Sequence, residues 1–387
     1  MSVLRLAHFP AILMLSLLMT CGHASAQVHF LATNDDVGPP LAFTMSTVYN
    51  IAANGSLTLN TTIPSEGFGI GGGYFPENRI VSLNNTGNQC FFIAQSLDGD
   101  LVGVPVSDLQ TFSRVYGSDT DLGSTNGIGL ANNTQYVYAS FTDDNAIGTF
   151  EIEGNCSLTF VGDTPVAGLN GGTIDAIHVL GNMMVATYGD GSIESFNLSS
   201  GMPVSNGDLQ NSTGSKSGQN YPSAIDITQD GHFAVFGDTS TATIIEVSDI
   251  SSGKLTPTVV YQLAPGTNSS NIMLSPDETL LYISNTQGDT ITAAFFNSSS
   301  GQVTFGCKSG LLKNYVTDWT YVSGIALAST TGTGGTVYAA EFPASIAEVN
   351  VTSSGGACTL TEAAGSPVSD PNAGGLLSLT SFPPRAF

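Results

Sequence analysis

Short apolar runs, separated by turn residues, follow one another along most of the chain. Segment 271–306 (NIMLSPDETLLYISNTQGDTITAAFFNSSSGQVTFG) shows this pattern clearly. It contains four runs rich in β-branched and aromatic residues, which we predict as the strands Ile272–Ser275, Leu280–Asn285, Thr290–Phe296 and Val303–Gly306. Asp, Asn, Gly and Ser lie between the runs, as is typical of tight turns. The segment therefore predicts a four-stranded antiparallel sheet.

The same arrangement recurs along the chain. The second predicted strand of each copy begins near Val28, Cys90, Tyr136, Met183, His232, Leu280 and Thr336. From Tyr136 onward the copies start 47 to 56 residues apart. Such a sheet buries both faces only by stacking against further copies, so seven copies predict an all-β fold, a seven-bladed β-propeller of four-stranded antiparallel blades.

The first copy begins with its second strand, so its first strand must come from elsewhere in the chain. The C-terminal segment Gly375–Ser381 is the predicted donor. Segment Cys156–Ile174 (CSLTFVGDTPVAGLNGGTI) aligns with Cys358–Leu376 (CTLTEAAGSPVSDPNAGGL), and the first of these leads into a first strand. We therefore expect the C-terminal strand to join the N-terminal blade and close the ring, so that no sheet edge stays open.

The first 26 residues resemble a secretory signal peptide. Arg5 gives a positive start, Ala11–Met19 is apolar, and Ala24-Ser25-Ala26 matches a cleavage site. Cys21 leaves a lipoprotein signal as the alternative. We expect cleavage near Ala26, a secreted or periplasmic location, and one propeller domain over residues 27–387.

The charge of the chain limits its partners. It has 31 acidic and 8 basic residues and a formal net charge of −23. This balance argues against nucleic acid or an anionic membrane as an electrostatic partner. No apolar stretch is long enough to span a membrane. We expect a monomer that binds a small molecule or an extracellular partner.

Four cysteines remain after the signal peptide: Cys90, Cys156, Cys307 and Cys358. An even number in an exported chain indicates disulfides, with three arrangements allowed. Pairing between adjacent blades favours Cys90–Cys156 and Cys307–Cys358. Free, buried thiols are the alternative.

An acidic residue follows the second predicted strand in every copy, at Asp35, Asp36, Asp98, Asp100, Asp143, Asp144, Asp190, Asp238, Asp289 and Glu341. These turns share one face of a propeller, where a ring of carboxylates could bind Ca²⁺ through oxygen ligands. The candidate metal ligands are Asp36, Asp100, Asp144, Asp190, Asp238 and Asp289. Because Asp also favours tight turns, turn formation is the competing interpretation.

The first strands line the channel of a propeller and supply the other candidates. Asp175, Asp226 and Asn271 lie near the starts of predicted first strands, and Trp319 and Tyr321 could stack on a ligand ring. His178 lies near the end of a first strand. We predict these six residues as ligand-binding candidates and assign no catalytic residue.

The segment LSPDETLLYISN at 274–285 resembles the SPDG-x-x-LY-V-x-N repeat of lactonase-type seven-bladed propellers, which include 6-phosphogluconolactonase and carboxymuconate cyclases. The resemblance implies the same fold over the mature chain. Enzymes of that family place His, Arg and Glu around the channel, often just before a first strand. Here those places hold Gly127-Ile128, Ala224-Ile225 and Asn271-Ile272, so no catalytic residue is carried over.

Two functions stay open at this point. The first is an exported ligand-binding or interaction module that uses its loop face. The alternative is a lactone hydrolase or cyclase acting on a small sugar-derived or muconate-type cyclic ester. A channel with convergent acid–base groups would favour the enzyme.

Overall fold

The computed structural model describes residues 29–35, 45–69, 78–123, 127–213, 221–239, 243–264, 269–314, 321–331, 334–373, 375 and 378–384. The predicted signal peptide lies outside them. The described residues form seven antiparallel sheets, each with four strands in line, so the predicted seven-bladed β-propeller is confirmed. No helix in this part of the chain is long and apolar enough to cross a membrane.

Blade one combines the two ends of the chain: β1 (Phe30–Asn34), β2 (Ser46–Ile51), β3 (Leu57–Ile63) and the C-terminal β30 (Ser378–Phe382). Blade two contains β4 (Ile80–Asn84), β5 (Gln89–Gln95), β6 (Asp100–Pro105) and β7 (Ser113–Val115). A four-residue helix, α1 (Gly117–Thr120), leads to blade three. Blade three contains β8 (Ile128–Asn132), β9 (Tyr136–Phe141), β10 (Ala146–Ile152) and β11 (Leu158–Pro165), with a 3₁₀ turn at Gly154–Cys156.

The remaining blades follow in chain order. Blade four contains β12 (Ile174–Leu180), β13 (Met183–Tyr188), β14 (Ser192–Asn197), β15 (Val204–Ser205) and β16 (Gln210–Asn211). Blade five contains β17 (Tyr221–Ile227), β18 (Phe233–Thr239), β19 (Thr243–Asp249) and β20 (Val259–Ala264). Blade six contains β21 (Ser269–Leu274), β22 (Leu280–Asn285), β23 (Thr290–Asn297) and β24 (Gln302–Lys308), with a 3₁₀ turn at Thr286–Gly288. Blade seven contains β25 (Val322–Thr331), β26 (Gly334–Glu341), β27 (Ser345–Ser354), β28 (Ala357–Glu362) and β29 (Val368–Ser369).

The ring is closed by the C-terminal strand, as predicted. Strand β30 pairs antiparallel with β1, with Phe30 opposite Phe382 and Asn34 opposite Ser378. The first strands β30, β4, β8, β12, β17, β21 and β25 each contact the next, and β25 contacts β30. These seven inner strands therefore surround a central channel.

Apolar side chains between neighbouring blades form the core. Between blades two and three, Phe92 packs with Phe141 and Phe150. Between blades seven and one, Leu31 and Tyr49 pack with Tyr338. Each blade buries side chains on both of its faces in this way, which explains why one sheet alone would not be stable.

Two disulfides join adjacent blades, in the pairing predicted from the sequence. Cys90 on β5 bonds to Cys156 beside β11, which joins blades two and three. Cys307 on β24 bonds to Cys358 on β28, which joins blades six and seven. Neither bond involves an inner strand, so both lie outside the channel.

Candidate functional site

A cavity of about 430 Å³ occupies the central channel. All seven inner strands contribute to its wall, mostly through the residues at their C-terminal ends. Asn132 at the end of β8, Pro276 after β21 and Pro384 after β30 also line it. The cavity therefore opens on the face where first strands lead into second strands. This is the face opposite the acidic turns.

His178 and Asp226 lie on the neighbouring inner strands β12 and β17, and both line the cavity. The His178 Nε2 and Asp226 Oδ1 atoms are 3.5 Å apart. Two backbone amides anchor the carboxylate. The Ile227 N–H donates to Oδ1 at 2.8 Å, and the Leu274 N–H donates to Oδ2 at 2.7 Å. A carboxylate held in this way can fix the orientation of the imidazole. Hydrogen bonds between catalytic groups, such as this His–Asp contact, are often long in structures without substrate.

An amide pair forms the floor of the cavity. Asn271 lies on β21, and Asn78 precedes β4. The Asn271 Nδ2 donates to the Asn78 Oδ1 at 3.3 Å. These strands belong to blades six and two, so the bond spans the channel. Asn78 lines both the cavity and a much narrower space of about 10 Å³ beneath it. Asn271, which was predicted as a ligand-binding residue, lines the narrow space beneath the cavity and not the wall of the cavity itself.

Hydroxyl groups of blades one and two lie across the channel from His178. The Ser82 Oγ donates to the Ser381 carbonyl at 2.7 Å, and the Thr380 Oγ1 donates to the Ser82 Oγ at 3.3 Å. All three residues line the cavity. Because the Ser82 and Thr380 hydroxyls already donate to protein acceptors, these two groups offer acceptor atoms to a ligand more readily than donors.

The other channel candidates lie apart from the cavity wall. Asp175 on β12 is buried, and burial raises its pKa to about 7. It is absent from the described residues that line the cavity. The Tyr321 ring stacks on the Phe342 ring at a centroid distance of 4.8 Å, beside the second-to-third strand turn of blade seven. Trp319 lies outside the described residues.

The acidic turn residues are engaged within their own blades. The Arg114 guanidinium donates to the Asp100 carboxylate at 2.6 Å through Nε, and the Gly117 N–H donates to the same group. Burial nevertheless raises the pKa of Asp100 against these hydrogen bonds. Asp144 is exposed and accepts the Gly123 N–H at 2.7 Å.

Asp190 organises the turn after β13. It accepts the backbone N–H groups of Asn170 at 2.7 Å and Gly172 at 3.3 Å, and the Ser192 N–H and hydroxyl at 3.0 and 2.5 Å. Burial raises the pKa of this carboxyl, but these hydrogen bonds outweigh burial and lower the pKa overall. Asp190 therefore acts as a turn residue in this structure.

Asp238, Asp289 and Glu341 are buried. Burial, and then the nearby Glu246 carboxylate, raise the pKa of Asp238 to about 9. Burial also raises the pKa of Glu341 to about 7. Asp36 lies outside the described residues. Within the described ranges, no three His, Cys, Asp or Glu side chains lie close enough together to hold a metal ion. The Ca²⁺ ring stays a prediction.

Several residues of the site were missed by the sequence analysis. Asn78, Ser82 and Thr380 line the cavity, but as single polar residues in strand patterns they carry no signal of their own. The places before the first strands of blades three, five and six hold no arginine, whereas Arg79 directly precedes β4 in blade two and is fully buried. Its position was visible in the sequence, because basic residues are few in this chain.

The comparisons with known proteins add family and fold. The sequence model of a family described as "Lactonase, 7-bladed beta-propeller" matches residues 116–367. No curated protein matches the chain at a significant level.

Solved structures resemble the chain over nearly its whole length. A candidate 6-phosphogluconolactonase of Bacteroides uniformis is 11% identical, with a TM-score of 0.68, over 92% of this chain and 99% of that chain. One from Bacteroides fragilis is 13% identical, with a TM-score of 0.64, over 93% and 99% of the two chains. A periplasmic gluconolactonase of Pseudomonas aeruginosa is 13% identical, with a TM-score of 0.64, over 92% and 99%. At such low identity, the likeness shows a shared fold.

Proposed function

This chain belongs to the lactonase family of seven-bladed β-propellers, and on that premise we propose that it hydrolyses a cyclic ester in its central cavity. His178 is the general base, and Asp226 is the residue that positions it. The observation that carries the proposal is the 3.5 Å approach of these two side chains on the wall of a cavity of about 430 Å³. Such a cavity falls within the usual size range of small-molecule sites.

In the proposed reaction His178 first accepts a proton and later returns it. With a proton on Nε2 facing Asp226, the Nδ1 lone pair of His178 takes a proton from water. The resulting hydroxide adds to the lactone carbonyl carbon. The tetrahedral intermediate then breaks the ring C–O bond, and the imidazolium returns its proton to the departing alkoxide. Lactone and water become a hydroxy acid.

Asp226 supports this cycle without contacting the reacting atoms. Its two backbone donors, Ile227 and Leu274, hold the carboxylate beside Nε2. A carboxylate there favours the Nε2–H tautomer and stabilises the imidazolium that forms during the reaction. The negative charge is buried and anchored, so little reorganisation is needed as the reaction proceeds.

A binding or interaction module that uses the acidic turn face is the second candidate function. The net charge of −23 favours it. Asp100 and Asp190, however, are held by donors within their own turns, which leaves them less able to meet a partner. We therefore rank hydrolysis above this alternative. The two disulfides support a secreted or periplasmic site of action for either function.

Hydrolysis is tested by following acid release from a panel of lactones with a pH indicator. We expect His178→Asn to lower kcat/KM by about 10²–10⁴-fold, because that is the usual contribution of a general base. Asp226→Asn should lower kcat more than it raises KM. The matched control is His232→Asn, since His232 is partly exposed, lies 3.4 Å from Asp249 and does not line the cavity.

Thermal unfolding of each variant separates a loss of chemistry from a loss of fold. A folded His178→Asn protein with wild-type activity would show that His178 is not the base. Absence of hydrolysis by the wild-type protein across the panel would reject the enzyme in favour of the binding module.

A further inference from the structure

We propose that the central cavity selects an uncharged, largely apolar lactone and rejects phosphorylated and sugar-derived lactones. The inference rests on the proposed hydrolysis and concerns the substrate class of that same site. Three features of the cavity wall carry it: its charge, its committed hydrogen-bond donors, and its apolar side chains.

The first feature is the charge of the wall. A phosphate group is usually bound by Arg or Lys side chains or by a cluster of free backbone amides. Among the described residues, no Arg or Lys lines the cavity, whereas the Asp226 carboxylate does. Arg79 is fully buried beside β4, and Arg114 is bound to Asp100 on the outer part of blade two. A phosphorylated lactone would meet a negative charge there without a compensating cation.

The second feature is that several hydroxyl and amide donors at the cavity are already used within the protein. A sugar lactone carries several hydroxyl groups, and each loses water on entering a cavity. The Asn271 amide donates to Asn78, the Ser82 hydroxyl to Ser381, and the Thr380 hydroxyl to Ser82. Hydroxyls buried against such a wall would stay poorly paired, which lowers affinity for a sugar ring.

The third feature is the apolar surface that fills most of the wall. Leu130, Val179, Ile272, Leu327 and Phe382 line the cavity from five different inner strands. Burying an alkyl or aryl group against them is favourable in proportion to the area removed from water. The lactone ring would then lie beside His178, with its substituent against the other blades.

Hydrolysis changes the charge of the ligand, and this change weakens its binding to the cavity. The product is a hydroxycarboxylate anion, whereas the substrate is neutral. The Asp226 carboxylate repels the product, and the apolar wall solvates its charge poorly. The same features that exclude charged lactones therefore promote product release.

The test compares four lactones at pH 8, where histidine charge contributes little to phosphate binding. γ-Decalactone and dihydrocoumarin represent the apolar class, and glucono-δ-lactone and 6-phosphogluconolactone represent the excluded class. We expect kcat/KM to be about 100-fold or more higher for the apolar class. Binding is measured separately by calorimetry with γ-decanolactam, which the enzyme should not hydrolyse.

Two variants test the charge argument within the cavity. Met273 lies on β21, is partly exposed and lines the cavity, so Met273→Lys places a cation there. Because Met273 also packs against the core between blades six and seven, thermal unfolding checks that this variant stays folded. This variant should narrow the difference in kcat/KM between phosphorylated and alkyl lactones. Arg385 follows Pro384 and lies outside the described residues. Arg385→Ala should leave the preference unchanged.

The outcomes separate this inference from the proposed function. Lactam binding without hydrolysis of any lactone would support the ligand class and reject the hydrolase. Faster hydrolysis of glucono-δ-lactone or 6-phosphogluconolactone than of the apolar lactones would reject the ligand class and keep the hydrolase. Loss of 6-phosphogluconolactone hydrolysis in Arg385→Ala would likewise overturn the charge argument. If the protein neither binds nor hydrolyses the apolar class, the ligand class and the proposed hydrolase are both rejected.

Discussion

Replacing Asp238 with asparagine should stabilise the protein at neutral pH. Asp238 lies on β18, fully buried, near Glu246 on β19. Burial, and then the Glu246 charge, raise the pKa of Asp238 to about 9. Glu246 accepts hydrogen bonds from the Ser212 and Thr258 hydroxyls, which stabilise its negative charge. We therefore expect the proton to lie on Asp238 in the folded protein.

The sign of the effect depends on the two protonation states. In the unfolded chain Asp238 loses its proton near pH 3.8, whereas in the folded protein it keeps it to about pH 9. The stability that this carboxyl contributes is present below pH 3.8 and declines as the pH rises toward 9. Since one pKa unit corresponds to about 1.4 kcal/mol, the upper bound on this cost at pH 7 is about 4 kcal/mol. An uncharged amide at this position removes the cost.

We expect Asp238→Asn to raise the unfolding temperature measured by circular dichroism, with a gain that grows from pH 5 to pH 8. The opposite result is expected for Asp190→Asn, because hydrogen bonds from Ser192, Asn170 and Gly172 outweigh burial and lower the pKa of Asp190. That variant should be destabilised at pH 7, and its deficit should shrink as the pH falls. A gain for Asp238→Asn that is equal at both pH values would refute the reasoning. So would a Ca²⁺-dependent stabilisation that this variant alone abolishes, since Asp238 would then be a metal ligand.

Three further predictions concern the closure and packing of the blades. Deleting β30 removes the inner strand of blade one, so the truncated protein should lose the cooperative unfolding transition and become aggregation-prone, as judged by size-exclusion chromatography. Replacing both Cys90 and Cys156 with serine should cost about 2–5 kcal/mol in a denaturant titration, and full reduction of both disulfides should destabilise the wild-type protein more than the variant, which has only Cys307–Cys358 to lose. Gly103→Ala should cost about 1–3 kcal/mol or more, because its Cβ would lie 1.8 Å from the Cys156 carbonyl oxygen, whereas Gly154→Ala, with nothing within 4 Å, should be neutral.

The strand pattern predicted the fold because each blade repeats the same local signals. Strand β22 runs from Leu280 to Asn285, as predicted, since turn residues flank a continuous apolar run on both sides. Strand β21 begins at Ser269, three residues before the predicted start at Ile272. The polar residues at its start belong to an inner strand, where they pair with β22 in the backbone ladder without needing an apolar pattern. Hydrophobic periodicity therefore located the blades better than the ends of their inner strands.

The candidate site was less accessible from the sequence, because its residues come from different repeats. His178 and Asp226 were each predicted as ligand-binding residues, but nothing in their spacing placed them together. Irregular pairing between Ile174 and Ile177 on β12, and between Pro222 and Ala224 on β17, changes which side chains face the channel. A bulge of this kind shifts the alternation of side chains without a matching signal in the hydrophobic pattern.

The two faces of the ring call for different experiments because their acidic groups are in different physical situations. On the turn face, Asp190 is ionised by the donors around it, and its hydrogen bonds stabilise a local turn. In the channel, the Asp226 carboxylate is anchored by amides of two blades and faces an imidazole across a cavity. A charge whose donors lie in its own turn stabilises that turn, whereas a charge presented to a cavity can act on a ligand. Neutralising the turn face should therefore change stability and leave ligand selection intact, while neutralising Asp226 should change ligand selection and catalysis first.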